Sequence, residues 1–442
     1  MEYIWLLFAA NVGICIWGFR ISTSPAMGRL TKSALNPVLV IWIFLFCCAL
    51  LYAVYAREGY VFHPRVSFYA PLSAQTFSYL VFTLFALAFA FGQAVASRTV
   101  ATGSPPLPPK EKTPNGTNTG EAFFVSITVS GVVIAYVTVV FGVTTLSDIQ
   151  ELTADRFVRY RESPLIIYLF MLPYLAFAVY CVKAKSFGLF VVAFLLALAA
   201  SVISGNRLNL LSLGFAVGVA STMRGKHIPR WLWLAYPCLG PASAISLYYL
   251  RGYNAYASVE DLVTASGGWI ELLMNPFEFN YHQLLTSVVA MQLDERIPRI
   301  PGEAFWAALW LPVPRALMPL KSLSPSIPYS EIVNPEVWYR FSSQATLGVF
   351  GDVYLEFGLA AGCVVLFLLG FTWFRWSRPK PGRSVELQAM ITTMMLAATI
   401  VFVRSGITQV GQLIWSALAL YIVYRVLAYL RLPNRRTSPE SM

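Results

Sequence analysis

Eleven apolar stretches, most of them about as long as a lipid bilayer is thick, are spread over the whole sequence. A membrane-spanning helix takes roughly 20 mostly apolar residues, so each stretch is a candidate transmembrane helix. The seventh stretch is short and almost touches the sixth, so these two also fit a tight hairpin or a partly buried pair. The predicted spans are residues 3–19, 37–56, 72–96, 122–143, 164–182, 186–203, 208–223, 231–250, 351–374, 385–403 and 407–430.

The composition excludes a soluble protein. Hydrophobic residues make up 57% of the 442 residues, charged residues make up 12%, and the mean hydropathy is +0.63. An ordinary soluble domain carries about 25% charged residues, and so few charges cannot cover a surface that faces water. The sequence therefore predicts an all-α, polytopic membrane protein with about 11 transmembrane helices, one large helical external loop and the lipid bilayer as its surroundings.

The basic residues indicate the orientation of the chain. If the N-terminus lies outside, the predicted inner loops and tail hold 19 of the 32 Lys and Arg residues, whereas 17 of the 21 Asp and Glu residues lie outside. Short inner loops of membrane proteins are enriched in Lys and Arg. We therefore expect a multi-pass membrane protein whose N-terminus lies outside the cell membrane and whose C-terminus lies inside. This use of the cations explains the net charge of +11, so no nucleic-acid partner is predicted.

Three regions follow from this topology. Residues 1–250 hold spans one to eight, with a flexible inner linker at 97–121, and residues 351–442 hold the last three spans and a basic tail. Residues 251–350 form an external loop that is too long to be a plain connection. Helical spacing is expected around 279–293. The run 304–311 is too short to span, and Trp306 and Trp310 suit a helix at the level of the headgroups.

Several motifs of energy coupling and metal chemistry are missing from the sequence. It contains no GxxxxGK phosphate loop, no HExxH and no DxD pair, and the six cysteines form no CxxC or His/Cys cluster. No cofactor and no metal are predicted. An active site on the outer side has no ATP, so its substrate would have to arrive already activated.

Arginines beside aromatic residues recur on the predicted outer side. A single arginine of this kind could extend its guanidinium to lipid phosphates and have no further role. Together they indicate more, because the positive-inside bias disfavours arginines in short outer loops and because guanidinium binds phosphate through two parallel hydrogen bonds. The set predicts a site for an anionic lipid, most simply a diphosphate lipid. Its members are Arg156, Arg159, Arg161, Arg207, Arg251, Arg340 and Arg404.

Two kinds of residue could accept a proton. His282 lies in the large loop, and an imidazole titrates near neutral pH, although a hydrogen-bonded structural histidine explains it equally. Asp352 and Glu356 are four residues apart at the outer end of the ninth span, where ionisable groups are usually functional. If that span instead begins nearer residue 355, Asp352 is a carboxylate at a helix start and needs no further role.

Short motifs in the second half of the chain resemble the Wzy-type oligosaccharide repeat-unit polymerases, which include O-antigen and exopolysaccharide polymerases. The motifs are Ser-Gly-Asn-Arg207 at the start of a span, Pro325-Ser-Ile-Pro328, Asn334-Pro335, and the run from Ala345 to Gly358. Members of that family commonly carry Glu where this chain has Asp352. The resemblance covers residues 120 to 430, with a large outer loop between late spans, and the lipopolysaccharide O-antigen ligases are similar in architecture.

The resemblance implies a membrane glycosyltransferase of the bacterial inner membrane, with a periplasmic N-terminus, a cytoplasmic C-terminus, a periplasmic active site and no metal. A growing glycan on undecaprenyl diphosphate would be transferred to a sugar hydroxyl of a new lipid-linked repeat unit, with inversion at the anomeric carbon. Undecaprenyl-diphosphate-linked oligosaccharides would be its substrates, and a chain-length regulator protein is a further expected partner. The alternatives are an O-antigen ligase and a flippase or transporter for lipid-linked oligosaccharides.

The residues that would carry this reaction follow from side and spacing. His282 is the first choice of base and Asp352 the second. Arg207 and Arg251 are expected to bind the diphosphate. The weaker candidates for binding the diphosphate or the glycan are Arg156, Arg159, Arg340, Tyr281 and Glu356.

Overall fold

A computed structural model gives the architecture. It describes residues 2–55, 60–63, 66–69, 72–101, 119–143, 145, 148, 169–204, 206–226, 228, 260–261, 264, 281–295, 297, 301–313, 317–318, 326–333, 347–380 and 382–430. Within them lie thirteen α-helices, one 3₁₀ helix and one two-stranded sheet. The α-helices are α1 (Glu2–Ser22), α2 (Pro37–Tyr55), α3 (Leu72–Ala101), α4 (Thr119–Phe141), α5 (Leu172–Lys183), α6 (Phe187–Ile203), α7 (Arg207–Met223), α8 (Tyr281–Leu293), α9 (Glu303–Leu309), α10 (Ser326–Val333), α11 (Gly348–Ser377), α12 (Val385–Arg404) and α13 (Ile407–Leu430).

The helices confirm a multi-pass membrane architecture. Six of them, α1, α3, α4, α11, α12 and α13, are long and apolar enough to cross a bilayer, and α2, α5, α6 and α7 are shorter apolar helices. Helices therefore occupy ten of the eleven predicted spans, and the run 231–250 lies outside the described residues. Helix also covers both edges of the predicted linker 97–121, since α3 continues to Ala101 and α4 begins at Thr119.

A β-hairpin between α2 and α3 departs from the predicted all-helical fold. Strand β1 (Tyr60–His63) pairs antiparallel with β2 (Val66–Tyr69), with Tyr60 opposite Tyr69 and His63 opposite Val66. Both strands are rich in aromatic and β-branched residues, which favour extended backbone. A connection of two residues, 64–65, is the length that joins neighbouring antiparallel strands most tightly.

The packed helices have two chemically different ends. At one end the Lys183 ammonium forms a salt bridge with Glu386, Arg29 donates to the carbonyl of Met223, and Arg224 donates to three carbonyls at the end of α5. This end, called the basic end below, therefore holds the last turns of α5 and α7 and the first turn of α12. The start of α7 and the end of α12 lie at the opposite end, called the loop end.

α3 and α11 are the most closely packed pair of long helices. A Cβ on Gly92 would overlap the carbonyl oxygen of Phe367, and a Cβ on Gly370 would overlap that of Phe89. Small residues let two membrane helices approach until their backbones touch, which maximises van der Waals contact. Rings such as Phe85 and Phe350, which meet edge to face at 5.7 Å, fill the space toward the loop end.

α12 is the central helix of the bundle. It packs against α2, α5, α7, α11 and α13, and nearly all of its side chains are buried. Its first turn is fixed by Ser384, whose hydroxyl accepts the N–H of Leu387 at 3.3 Å as an N-cap. Because α12 runs from the basic end to the loop end, it sets where its last residue, Arg404, emerges.

Candidate functional site

Two carboxylates lie buried on one face of α11 near the loop end. Asp352 is 2% exposed and Glu356 is 1% exposed, and the helix begins at Gly348. The prediction that the two share a helical face is confirmed, because residues four apart are neighbours on a helix. Asp352 lies one turn inside α11, and the backbone of α11 is non-helical at Gly358, so both carboxylates belong to the short helical segment before that kink.

Asp352 binds the turn that joins α12 to α13. Its Oδ2 atom accepts the N–H of Ile407, the first residue of α13, at 2.8 Å. Gly406 has a φ of +102°, and a Cβ there would overlap the same oxygen. The carboxylate therefore stabilises the N-terminus of α13 in place of a cap from that helix itself, where a negative charge is favourable.

Glu356, one helical turn after Asp352 on α11, stabilises the N-terminus of α9 in the same way. Its Oε1 atom accepts the N–H of Ala304, and its Oε2 atom is buried with no hydrogen-bond partner among the described residues. α9 also packs along α13, because Trp415 donates its indole N–H to the carbonyl of Ala308 at 3.0 Å. The short helix of the external loop is thus held from two sides by long helices.

The outward face of α9 presents two exposed indoles, and a partly buried acid lies at the edge of this face. Glu303, Trp306 and Trp310 are three or four residues apart and share this face, while Ala304 and Ala307 are buried on the other. Trp306 is 54% exposed, Trp310 is 38% exposed, and their rings stack with centroids 6.4 Å apart and planes 9° from parallel. Burial raises the pKa of Glu303 above its usual value. This acid–indole face lies directly beside Glu356.

α8 confirms the helix expected around 279–293, and its first two residues are Tyr281 and His282. Their backbone places both at the N-terminus of the helix. The rest of α8 packs into the loop end: Thr286 shares a hydrogen bond with Ser78 of α3 at 2.7 Å, and Gln292 donates to the carbonyl of Leu355 at 2.9 Å. α8 therefore links the position of His282 to the residue next to Glu356.

α10 completes the packed part of the loop. The buried hydroxyl of Tyr329 forms a hydrogen bond with Ser287 of α8, and burial raises the pKa of Tyr329. Each of the three loop helices is thus attached to another helix by at least one buried polar contact. Such contacts have defined partners and geometry, so they fix the placement of the loop more closely than apolar contact alone.

Two of the predicted arginines lie at the loop ends of neighbouring helices. Arg207 begins α7, Arg404 ends α12, and these two helices pack against each other. The Asn206 side chain of the Ser-Gly-Asn-Arg motif caps α7 by accepting the N–H of Leu208 at 3.1 Å. Asn206, one residue of the motif, therefore has a structural role as the N-cap of α7. The predicted residues that lie outside the described part of the chain are Arg156, Arg159, Arg161, Arg251 and Arg340.

Sequence reasoning missed two residues of this site. Glu303 joins Asp352 and Glu356 only because α9 folds onto α11, and Gly406 matters only because Asp352 lies against it. The sequence signal for Glu303 was an acid at the start of a short helix. The signal for Gly406 was a glycine between two spans. The described residues include no group of three or more His, Cys, Asp or Glu side chains that could hold a metal ion.

Comparison of the chain with protein-family models, with curated proteins and with solved structures found no match. The resemblance to the Wzy-type polymerases therefore rests on the short motifs of the sequence.

Proposed function

We propose that this protein is a membrane glycosyltransferase that polymerises lipid-linked oligosaccharide repeat units. The growing glycan is transferred from undecaprenyl diphosphate to a sugar hydroxyl of a new lipid-linked unit. The positive-inside rule assigns the basic end to the cytoplasm, so the reaction takes place at the loop end, on the periplasmic side.

The acid–indole face of α9 is the observation that carries this proposal. The indoles could also serve as an interfacial anchor, but a carboxylate on the same face is costly in hydrocarbon. Indole rings offer flat apolar surfaces to the C–H faces of a sugar, and a carboxylate accepts hydrogen bonds from its hydroxyls. A glycan is the ligand that uses both kinds of group at once.

The fixed placement of this face supports an enzyme rather than a transporter. Glu356 and α13 hold α9 from two sides, and the described spans place their buried carboxylates close to the two ends, at Asp352, Glu356 and Glu386. A flippase needs polar groups along its path through the bilayer, whereas a surface enzyme needs a preorganised face.

The reaction itself is a single displacement. The oxygen of the acceptor hydroxyl attacks the anomeric carbon of the donor, the bond from that carbon to the diphosphate oxygen breaks, and the electron pair leaves with the diphosphate. His282 is the proposed base for the hydroxyl proton, and Arg207 and Arg251 the proposed ligands that stabilise the departing charge. Asp352 and Glu356 are positioning residues in this scheme, because they hold the first turns of α13 and α9.

Purified protein incubated with synthetic lipid-linked repeat units tests the proposal. A ladder of products that forms with a chelator present and without any nucleotide is the expected result, and His282→Ala and Arg207→Ala should each shorten or abolish it. Transfer that requires lipid A core as acceptor would instead make the protein a ligase. Movement of lipid-linked units across a vesicle membrane with no transfer would make it a flippase.

A further inference from the structure

A turn between α11 and α12 concentrates positive charge at the basic end. Arg375, Arg378, Lys380 and Arg383 lie within nine residues, and each is partly buried. Burial and then the charge of cationic neighbours lower the pKa of Arg378, Lys380 and Arg383. Cations that face only water would spread apart, so a compact group of this kind carries an electrostatic cost.

The acid that is closest to this group in the sequence is paired elsewhere. Glu386, in the first turn of α12, forms its salt bridge with Lys183 of α5. In the part of the chain that the structure describes, no salt bridge joins an acid to Arg375, Arg378, Lys380 or Arg383. The turn itself therefore presents three cations, Arg378, Lys380 and Arg383, that pair with no described acid, and Arg375 precedes them in the last turn of α11.

The electrostatic cost of each cation depends on which end of a helix it lies beside. Arg378 follows the last residue of α11, where a cation is favourable beside the helix carbonyls. Arg383 immediately precedes Ser384, the N-cap of α12, and a cation is unfavourable at that end of a helix. The dipole of α12 would favour an anion at this position, so it does not account for the cation Arg383.

The side chain of Arg383 is also oriented by a hydrogen-bonded pair of side chains of α12. It donates from Nη1 to Oε1 of Gln388 at 3.1 Å, and buried Gln388 in turn donates to the hydroxyl of Thr392 at 3.1 Å. The Nε atom of Arg378 is buried and has no hydrogen-bond partner in the described part of the chain. One guanidinium is therefore oriented by a chain of side chains, and the other keeps an unused buried donor.

We propose that Arg378, Lys380 and Arg383 form a binding site for a phosphate group at the membrane surface of the basic end. Guanidinium groups bind phosphate through paired hydrogen bonds, and an anion between the two helices would relieve the repulsion among the three cations. Because Arg378 directly follows the membrane helix α11, the headgroup phosphate of an anionic phospholipid is within reach of the site. The site is independent of the proposed glycosyl transfer, which lies at the other end of the bundle.

Native mass spectrometry of the purified full-length protein tests this site. Detergent-solubilised protein is titrated with phosphatidylglycerol, phosphatidylcholine or inorganic diphosphate. The double variant Arg378→Gln/Arg383→Gln should bind the first phosphatidylglycerol at least about tenfold more weakly, the effect of losing a hydrogen bond to a charged group. Lys185→Gln/Lys226→Gln is the matched control, because both lysines are exposed at the same end and the charge change is equal. The control should bind like the unmodified protein.

The three ligands identify the source of the phosphate, and the control variants exclude a general effect of charge. Tight binding of diphosphate that the double variant loses, with no preference for phosphatidylglycerol over phosphatidylcholine, supports the phosphate site and makes its ligand a soluble anion. Equal loss of binding in both double variants, or in neither, overturns the proposal. Arg378→Lys/Arg383→Lys keeps the charge and serves as a check on folding: it should retain more binding than the glutamine pair, and equal loss in both also overturns the proposal.

Discussion

The carboxylate of Asp352 lies against the α-carbon of Gly406, in the space that a side chain at that position would fill. The contact joins α11 to the turn between α12 and α13, across more than fifty residues of sequence. It also explains a buried carboxylate at this depth, since the negative charge meets the N-terminus of α13. Its consequences for folding can be measured directly.

Gly406→Ala should destabilise the protein. The φ of +102° is strained for any residue with a Cβ, and the added methyl group would also push Asp352 away from the N–H of Ile407. We expect a loss of about 1–3 kcal/mol, seen as a lower midpoint of thermal unfolding in detergent. Gly13→Ala in α1 is the control, because a Cβ there meets nothing within 4 Å. Equal midpoints for the two variants would contradict the contact.

Glu356 should be replaceable by glutamine but not by alanine. Glutamine keeps a carbonyl oxygen for the N–H of Ala304, whereas alanine leaves that buried donor without a partner at a cost of about 1–3 kcal/mol. Hydrogen exchange of the backbone in α9 measures the result: Glu356→Ala should speed exchange there and Glu356→Gln should not. Glu331→Ala, at an exposed position of α10, is the control. Slow exchange of α9 in Glu356→Ala would show that this helix is held without the carboxylate.

The close approach of α3 and α11 predicts that neither glycine at their contact can carry a side chain. Gly92→Ala and Gly370→Ala each place a methyl group on the backbone of the other helix, which cannot move aside as a flexible side chain could. We expect each change to lower stability by about 1–3 kcal/mol, as for overpacked cores. Gly131→Ala in α4 has open space around it and should keep or slightly raise the unfolding midpoint. A midpoint for Gly92→Ala as high as that of Gly131→Ala would rule out so close an approach of the two helices.

The acid–indole face predicts a defect in substrate use that leaves folding intact. Trp306→Ala and Trp310→Ala should each raise the KM for lipid-linked repeat units by about tenfold, because each removes part of an apolar contact worth about 1–2 kcal/mol. Both side chains are exposed, so the unfolding midpoint should change little. Leu309→Ala, an exposed apolar neighbour on the same helix, separates sugar contact from anchoring in lipid. A similar KM change in Leu309→Ala would favour anchoring.

Much of this architecture can be predicted from sequence because each element is local. The long apolar runs give the helices, and the four-residue spacing of Asp352 and Glu356 gives their shared face. Pro173 lies in the first turn of α5, a position that proline favours, so the start of this helix at Leu172 is also a local feature. The hairpin before α3 was missed because two strands of four residues give only a short pattern between two much longer apolar runs.

What could not be predicted depends on contacts between distant parts of the chain. Nothing in the run 303–309 indicates that Ala304 would bind a carboxylate 52 residues further on, or that α9 would pack on α13. Those contacts decide that Glu303 joins the site and that Trp306 and Trp310 face outward. Single-sequence patterns give the faces of each helix but not the partner that each face meets.

The raised pKa of Glu303 predicts a pH dependence of stability with a definite sign. Burial raises its pKa above the ordinary value of 4.5 in the folded protein, so the folded state holds this proton more tightly than the unfolded state does. The contribution of Glu303 to stability is therefore fully present below pH 4.5 and is lost as the pH rises through the raised pKa. Glu303→Gln stays neutral and avoids that loss. The unfolding midpoint of Glu303→Gln, compared with the unmodified protein, should thus rise between pH 4.5 and pH 7, whereas Glu331→Gln at an exposed position should show no such change. A difference that is the same at both pH values would mean that Glu303 is as well solvated in the folded protein as in the unfolded chain.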